Sequence, residues 1–321
     1  MRSFLKQTIL FILFPIAVAY AFVYIYEKPQ RDALKNGTHS TQEKWLDIQN
    51  PNNIFNVIIV GSSRGDSAYN PFIIDSISKT NSYNLCSGSQ NIVETYYIIK
   101  EVLKYQKPEV IVYDTFLPSL RNEPNYFHVL SNAEFMSKNG KWDMIINGFG
   151  SQGIYNYIFP FSKYKSYLKR DLKNSFTSKR AVTVNSYRIR GYYYSDNIVD
   201  LESINNYKPL YSFKNTSIST EKTEHYISLI SELCKDNNII FLPVRAPYPP
   251  TRLKKSETDP AHFYFEKMYS ALDVSFYDFN YSNSKEYIDF DFSDDHHLNN
   301  WGAKKASREL GTLISILRRN P

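Results

Sequence analysis

The sequence predicts an α/β protein: a three-layer α/β/α body around a mostly parallel five-stranded sheet, with an N-terminal transmembrane helix and an inserted subdomain. Three observations predict it. Residues 8–26 (TILFILFPIAVAYAFVYIY) form an uncharged apolar run. Beyond them, short apolar runs alternate with segments of helical period, the pattern of parallel strands covered on both faces. Residues 115–218 interrupt that alternation, and a structureless loop of such length inside a compact domain is improbable.

The apolar run is long enough to span a hydrocarbon core about 30 Å thick at about 1.5 Å per residue. Arg2 and Lys6 precede it, so the positive-inside rule makes 1–7 a cytoplasmic tail, 8–26 the anchor, and everything after it external. Ala19-Tyr20-Ala21 also reads as a signal-peptidase site, and cleavage there is the competing expectation. Residues 27–53 are polar and read as a linker, with a short helix around 43–48.

The body then runs from 54 to 321. Residues 54–60 (IFNVIIV) read as a buried strand ended by Gly61-Ser62-Ser63. Asn70-Pro71 is a helix start, with Asn as N-cap and Pro in the first turn. Residues 82–85 give a second strand, 92–105 a helix and 109–113 (EVIVY) a third strand. After the insertion come a helix at 220–235, a strand at 239–244 (IIFLPV), a helix at 260–272, a short strand at 274–277 and a closing helix at 300–317.

Composition narrows the function classes. Mean hydropathy of −0.43 excludes a polytopic membrane protein. The net charge of +6 over 321 residues is a mild excess that does not by itself argue for nucleic acid, which usually wants a clustered basic face, so nucleic acid is not expected as a partner. The two cysteines, Cys86 and Cys234, exclude a disulfide scaffold and a cysteine-rich zinc module; they read as buried thiols. Tyrosine is abundant at 27 residues, which suits carbohydrate contacts but equally an aromatic core.

In an open parallel sheet, ligands bind beyond the carboxyl ends of the strands. The residues there are Ser62, Ser63 and Arg64, then Gly88, Asp114, Arg245 and the segment Asp294-Asp295-His296-His297. These can assemble an acyl-transfer site. A serine hydroxyl needs an adjacent base, and the base an orienting partner. Ser63 is the candidate nucleophile, His297 the base and Asp294 its partner. The backbone N–H groups of Ser63 and Gly88 are candidate oxyanion donors. Ser67, inside a literal Gly65-Asp66-Ser67, and Ser62 are competing nucleophiles, and His296 a competing base. Arg64 and Arg245 are candidate substrate-binding residues. No metal or organic cofactor is expected.

Gly61-Ser62-Ser63, Gly88 and the C-terminal block Asp294, His297, Leu298, Asn299, Gly302, Ala303 resemble the SGNH (GDSL) hydrolase superfamily. The membrane-anchored branch, with the D-alanyl-lipoteichoic acid transfer and alginate O-acetylation proteins, is the most similar. That resemblance implies a flavodoxin-like sheet and a serine esterase or O-acyltransferase. It implies a cell-envelope polysaccharide or acylated glycan as substrate and a membrane-bound O-acyltransferase as partner. With the anchor, it implies a single-pass protein of the bacterial inner membrane with its catalytic domain outside the cytoplasm. The third superfamily block supplies an Asn after the third strand; here Tyr113-Asp114-Thr115 stands in its place, leaving one oxyanion donor unassigned.

Two other readings stand beside this one. A non-catalytic glycan-binding or scaffold subunit of a polysaccharide synthesis complex fits the departure in the third block. A metal-dependent envelope phosphoesterase could use the acidic and histidine residues of 289–297. The basic residues Lys179, Arg180, Arg188 and Arg190 read as a solvated face, and His39, His128, His225 and His262 as surface or packing residues.

Overall fold

The computed structural model describes residues 2–28, 32, 40–121, 124–159, 188–211, 218–256, 258–281 and 287–319. Helix α1 (Arg2–Tyr26) carries the apolar run. The elements that follow are α2 (Ser40–Gln49), β1 (Val57–Gly61), α3 (Ser63–Ala68), α4 (Pro71–Ser78), β2 (Ser82–Asn84), α5 (Ile92–Val102) and β3 (Val110–Asp114). The insertion contributes α6 (Tyr126–Phe135), α7 (Lys138–Asp143), a π-turn at Met144–Gly148, α8 (Gly150–Ile158), a hairpin of β4 (Arg188–Ile189) with β5 (Tyr192–Tyr193), and α9 (Leu201–Asn205). The chain closes through α10 (Thr220–Asp236), β6 (Ile240–Arg245), α11 (Pro250–Lys254), α12 (Pro260–Ala271), β7 (Tyr277–Asp278) and α13 (Asn300–Arg319).

The main sheet has five strands in the order β2-β1-β3-β6-β7, and every pairing is parallel. The order reverses between β1 and β3, which opens a crevice at their carboxyl ends. Alternation along each strand divides the core into two layers. Val57 and Ile59 of β1, with Val110 and Val112 of β3, point to the side covered by α4 and α13, where Ile74, Ala306, Leu310 and Ile314 are fully buried. Ile58, Val60 and Ile111 point to the other side, against Ile98 and Val102 of α5, Ile227 and Ile230 of α10 and Phe265 of α12. The three-layer architecture follows directly from that division.

Two boundaries differ from the sequence reading. The segment 27–53, read as a linker, contributes α2 to the body. Trp45 and Ile48 have no exposed surface and belong to the α5 layer, so Ser40–Gln49 is part of the globular body. The fifth strand is only Tyr277–Asp278, because Val274 and Phe276 pack against the helical layer instead of pairing. Within the insertion, Val129, Leu130, Met144, Ile145 and Phe149 join the same core as the sheet. Its β4–β5 hairpin docks on the outer edge of β2, where Asn84 N–H donates to the Arg190 carbonyl at 3.0 Å. That contact satisfies a backbone group on an otherwise open sheet edge. Lys179 and Arg180 lie outside the described residues. Cys86 and Cys234 are both buried and unpaired.

The apolar stretch Lys6–Ile25 of α1 is 20 residues long with a mean hydropathy of 2.4, enough by length and composition to cross a membrane.

Candidate active site

Strand β1 delivers the first residue of the site. Ser62 follows it in extended conformation and caps α3, its Oγ accepting from Arg64 N–H at 3.4 Å. Ser63 is therefore the first residue of α3, at the strand's carboxyl end. Its backbone N–H is one of those a helix start leaves without an intrahelical acceptor.

The opposite wall is the loop before α13. Phe292 and Leu298 bridge its base, and Ser293 N–H donates to the His297 carbonyl at 2.9 Å. Asp294 Oδ1 accepts from the N–H groups of His296 and His297 at 2.9 and 2.8 Å. Its other oxygen meets His297 Nδ1 at 2.7 Å, and His297 Nε2 meets Ser63 Oγ at 2.8 Å. The three side chains thus form one continuous chain of hydrogen bonds. Burial alone would raise the Asp294 pKa; the His297 hydrogen bond and the neighbouring imidazoles outweigh it and hold the carboxyl well below the usual carboxylate range. An acid so disposed stays ionised and fixes His297 with its proton on Nδ1 and a free lone pair on Nε2.

The rest of the C-terminal block has a mechanical role. Asn299 Nδ2 donates to the Phe290 carbonyl at 2.7 Å, while its Oδ1 accepts from the N–H groups of Trp301 and Gly302. It staples the loop to the start of α13. A Cβ at Gly302 would stand 2.3 Å from the Asp291 carbonyl oxygen, so only glycine lets the loop lie this close.

Ser63, Asp294 and His297 open into a cavity of about 480 Å³. Gly88 lines it too, and a Cβ there would stand 3.0 Å from His128 Cε1. Ser63 also borders a second cavity of about 280 Å³, walled by Phe116, Pro118, Asn125 and His296. The nucleophile candidate therefore stands where two cavities meet.

Several residues at the large cavity were not legible as site residues. Lys44 of α2 reaches Asp66 Oδ1 at 2.8 Å and the Cys86 carbonyl. Arg188 of β4 grips the same carboxylate with both Nη atoms at 2.7 and 3.0 Å. Burial pulls the Lys44 ammonium down to about 8 against the opposing pull of Asp66. His128 of α6, read as a surface or packing residue, faces the cavity, and burial lowers its pKa to about 4. No local motif marks any of them; long-range packing brings them together.

The competing serines engage backbone groups, although Ser67 also lines the large cavity and Ser62 the smaller one. Ser67 Oγ donates to the Arg64 carbonyl at 3.1 Å, and Ser62 Oγ is spent on the helix cap. His296 turns its Nδ1 to Asp295 Oδ1 at 2.5 Å and stacks on Phe116. Neither candidate substrate arginine presents its charge to the large cavity. Arg64 is 1% exposed; its Nη2 donates to the carbonyls of Ala246 and Pro247, and its guanidinium lies 3.8 Å over the Tyr248 ring. It braces the loop after β6 beneath the site. Arg245 is held by Asp259 and Asp278 at 2.7 and 2.8 Å, all three buried. Val244 points to the α13 side, so strand alternation sends Arg245 to the opposite face. Asp294, His296 and His297 are also close enough to hold a metal ion, although Asp294 and His297 already spend facing atoms on each other.

No family model and no curated protein matches the chain. Among solved structures it is similar to a protein described as lipolytic and of the G-D-S-L family from Desulfitobacterium hafniense DCB-2, with TM-score 0.38, 11% identity, and 80% of this chain and 98% of that one covered. It is similar to a GDSL-like lipase from Bacteroides thetaiotaomicron VPI-5482, with TM-score 0.39, 9% identity and 81% and 88% covered. A protein described as an acylhydrolase from Bacteroides fragilis NCTC 9343 gives TM-score 0.39, 11% identity and 81% and 86% covered. A likeness this loose assigns no activity, and the chemistry rests on the residues of this chain.

Proposed function

We propose that this chain is a membrane-anchored, exported serine esterase or acyltransferase of SGNH type that acts on O-acyl groups of a cell-envelope or extracellular polysaccharide. The observation that carries the reading is the relay from Asp294 through His297 to Ser63 Oγ, at the mouth of a cavity beyond the strand ends. His297 Nε2 takes the Ser63 proton as Oγ attacks the ester carbonyl, and the imidazolium formed is stabilised by the Asp294 carboxylate. The N–H groups of Ser63 and Gly88 receive the oxyanion. The tetrahedral intermediate collapses, His297 returns the proton to the departing alkoxide, and an acyl-serine remains. Water or a sugar hydroxyl, deprotonated by the same imidazole, then takes the acyl group and restores Ser63.

The lining of the large cavity supports a hydroxyl-rich acceptor. Ser131 and Asn197 line it with short polar side chains, with Phe127 and Tyr193 as apolar faces for a sugar ring. The anchor would keep the enzyme at the site of envelope assembly, beside a membrane-bound acyl carrier.

The test is to treat the full-length protein with a fluorophosphonate and locate the adduct by mass spectrometry. An adduct on Ser63 that disappears in His297→Ala supports the reading. An adduct on another serine keeps the enzyme but overturns Ser63 as its nucleophile, and folded protein with no adduct overturns the reading and favours the glycan-binding or scaffold alternative. The cluster of Asp294, His296 and His297 favours one further reading, metal-dependent phosphoester hydrolysis. It predicts activity on p-nitrophenyl phosphate that a chelator removes and a divalent ion restores.

A further inference from the structure

The far end of the insertion carries an apolar face that the catalytic reading leaves unexplained. Along α8, Ser151 and Gln152 are exposed at the start. Further on, the exposed residues become Ile154, Tyr155 and Ile158, at 36%, 45% and 50% exposure. Spacings of one and four residues place all three on one side of the helix. The helix is thus polar at its entry and apolar at its exit. Aromatic rings gather at that exit: Tyr155 lies 5.1 Å from Phe159, Tyr157 packs edge-on against Trp142 at 5.0 Å, and Lys141 Nζ lies 5.0 Å over the Tyr157 ring. Tyr, Trp and Lys side chains of this kind are the groups that favour a membrane–water interface.

A second, independent contact fixes the depth. The Tyr20 hydroxyl of α1 donates to the Ile158 carbonyl at 2.6 Å. Tyr20 is not at the end of the apolar stretch, which runs on to Ile25. Five residues of helix correspond to about 7.5 Å at about 1.5 Å per residue. The last carbonyl of α8 therefore lies below the level at which α1 leaves the apolar zone. A terminal carbonyl has no intrahelical donor, and in hydrocarbon no water can supply one. Tyr20 supplies it.

We propose that the C-terminal end of α8 is embedded in the outer face of the bilayer that α1 crosses, so that the body is held on the lipid surface at two places and does not swing on a free tether. This rests on α1 being a membrane span and is independent of the serine chemistry. It bears on the site because α8 packs on α6, which carries Phe127 and His128 of the cavity wall. The lipid surface would thus support one wall of the cavity through α8 and α6.

The test uses full-length protein in phosphatidylglycerol–phosphatidylethanolamine vesicles containing doxyl-labelled lipid. Bimane is attached at Tyr155→Cys or Ile158→Cys, with the unmutated chain as a blank, because Cys86 and Cys234 are buried. Phe14→Cys reports the span, and Phe263→Cys, exposed on α12, reports the aqueous body. Quenching at 155 and 158 comparable to that at 14 supports the proposal. Quenching at 14 with none beyond the level of 263 at 155 and 158 overturns it while leaving the span intact. No quenching at 14 overturns both the span and the proposal. Lipid-independent self-quenching between labelled copies would mean that a second copy covers this face, and it overturns the proposal as well.

Discussion

Two histidine–aspartate pairs in this molecule share nearly the same contact and have different consequences. His297 Nδ1 meets Asp294 at 2.7 Å, and His262 Nδ1 meets Asp278 at 2.8 Å. In the first pair the acid is partly exposed, has no basic partner besides histidine among the described residues, and is fixed by two backbone N–H groups. The far nitrogen of its histidine reaches a serine at a cavity mouth. In the second pair the acid is buried and shared with Arg245 and Asn280, and the histidine ring lies 4.1 Å from Tyr281. The lesson is that the pair itself does not make a catalytic site. What matters is whether the imidazole has a nucleophile on its other nitrogen and whether the acid is free to answer a charge forming there.

The sharpest way to break this contrast is to cut each pair and read the rate. His297→Ala and Asp294→Asn are each expected to lower kcat for a p-nitrophenyl ester by about 10⁴-fold, the scale at which triad members act. His262→Ala should leave kcat within the error of the assay. If the two histidines cost the same, the proposed relay is not the active centre.

Next in size is Arg245→Met. It leaves Asp259 and Asp278 buried without their cation, and breaking such a pair costs about 3–5 kcal/mol. Urea unfolding should show a lower midpoint, while any protein that remains folded keeps its serine reactivity. A loss of reactivity without a loss of stability would instead return Arg245 to the site.

This pair of effects shows what was legible in the sequence. Strand periodicity gave four strands closely and the fifth only at Tyr277, and the rule that ligands gather at strand carboxyl ends pointed to Ser63 and the 294–297 loop. A three-residue spacing within a single turn lets Asp294 and His297 be read together. The arginines defeated the same rule. A basic residue at a strand end can face the crevice or the helical layer, and only the packed fold places Arg245 against two buried acids and Arg64 over Tyr248. Lys44 was hidden because α2 has only Trp45 and Ile48 as apolar anchors, too few to distinguish a docked helix from a polar linker. His128 and Arg188 reach the cavity from the insertion, where no strand rhythm guides the reading.

A smaller effect separates two titratable groups, His128 of α6 at the cavity wall and the buried Glu94 of α5, from the relay. Burial keeps His128 neutral down to about pH 4, whereas in the unfolded chain it takes a proton near 6.5. Between those values the unfolded state binds more protons, so stability falls as pH falls through that window. Glu94, raised by burial to about 7, acts with the opposite sign: between about 4.5 and 7 the folded state holds the extra proton, and stability rises as pH falls. On going from pH 7 to pH 5, the thermal midpoint should change more favourably in His128→Gln than in the parent, and less favourably in Glu94→Gln. Matching signs for the two variants would show that at least one of these groups does not titrate as its burial requires.

The smallest expected effect is His262→Gln, and it tests the second pair most directly. The Asp278 hydrogen bond, working against burial and helped by the same carboxylate's charge, raises the His262 pKa above its ordinary value. A raised histidine contributes stability in full below about pH 6.5 and loses it as pH rises through the folded-state pKa. Gln can keep a hydrogen bond to Asp278 but not the charge. The variant should therefore be destabilised by about 1 kcal/mol near pH 6, the difference between a charge-assisted and an ordinary hydrogen bond, and by less at pH 8. Asp278 stays paired with Arg245 throughout, so the loss remains small. A penalty that is the same at both pH values would mean that His262 is held by its contact with Tyr281 and not by charge. The two pairs would then differ even in the kind of interaction that holds them.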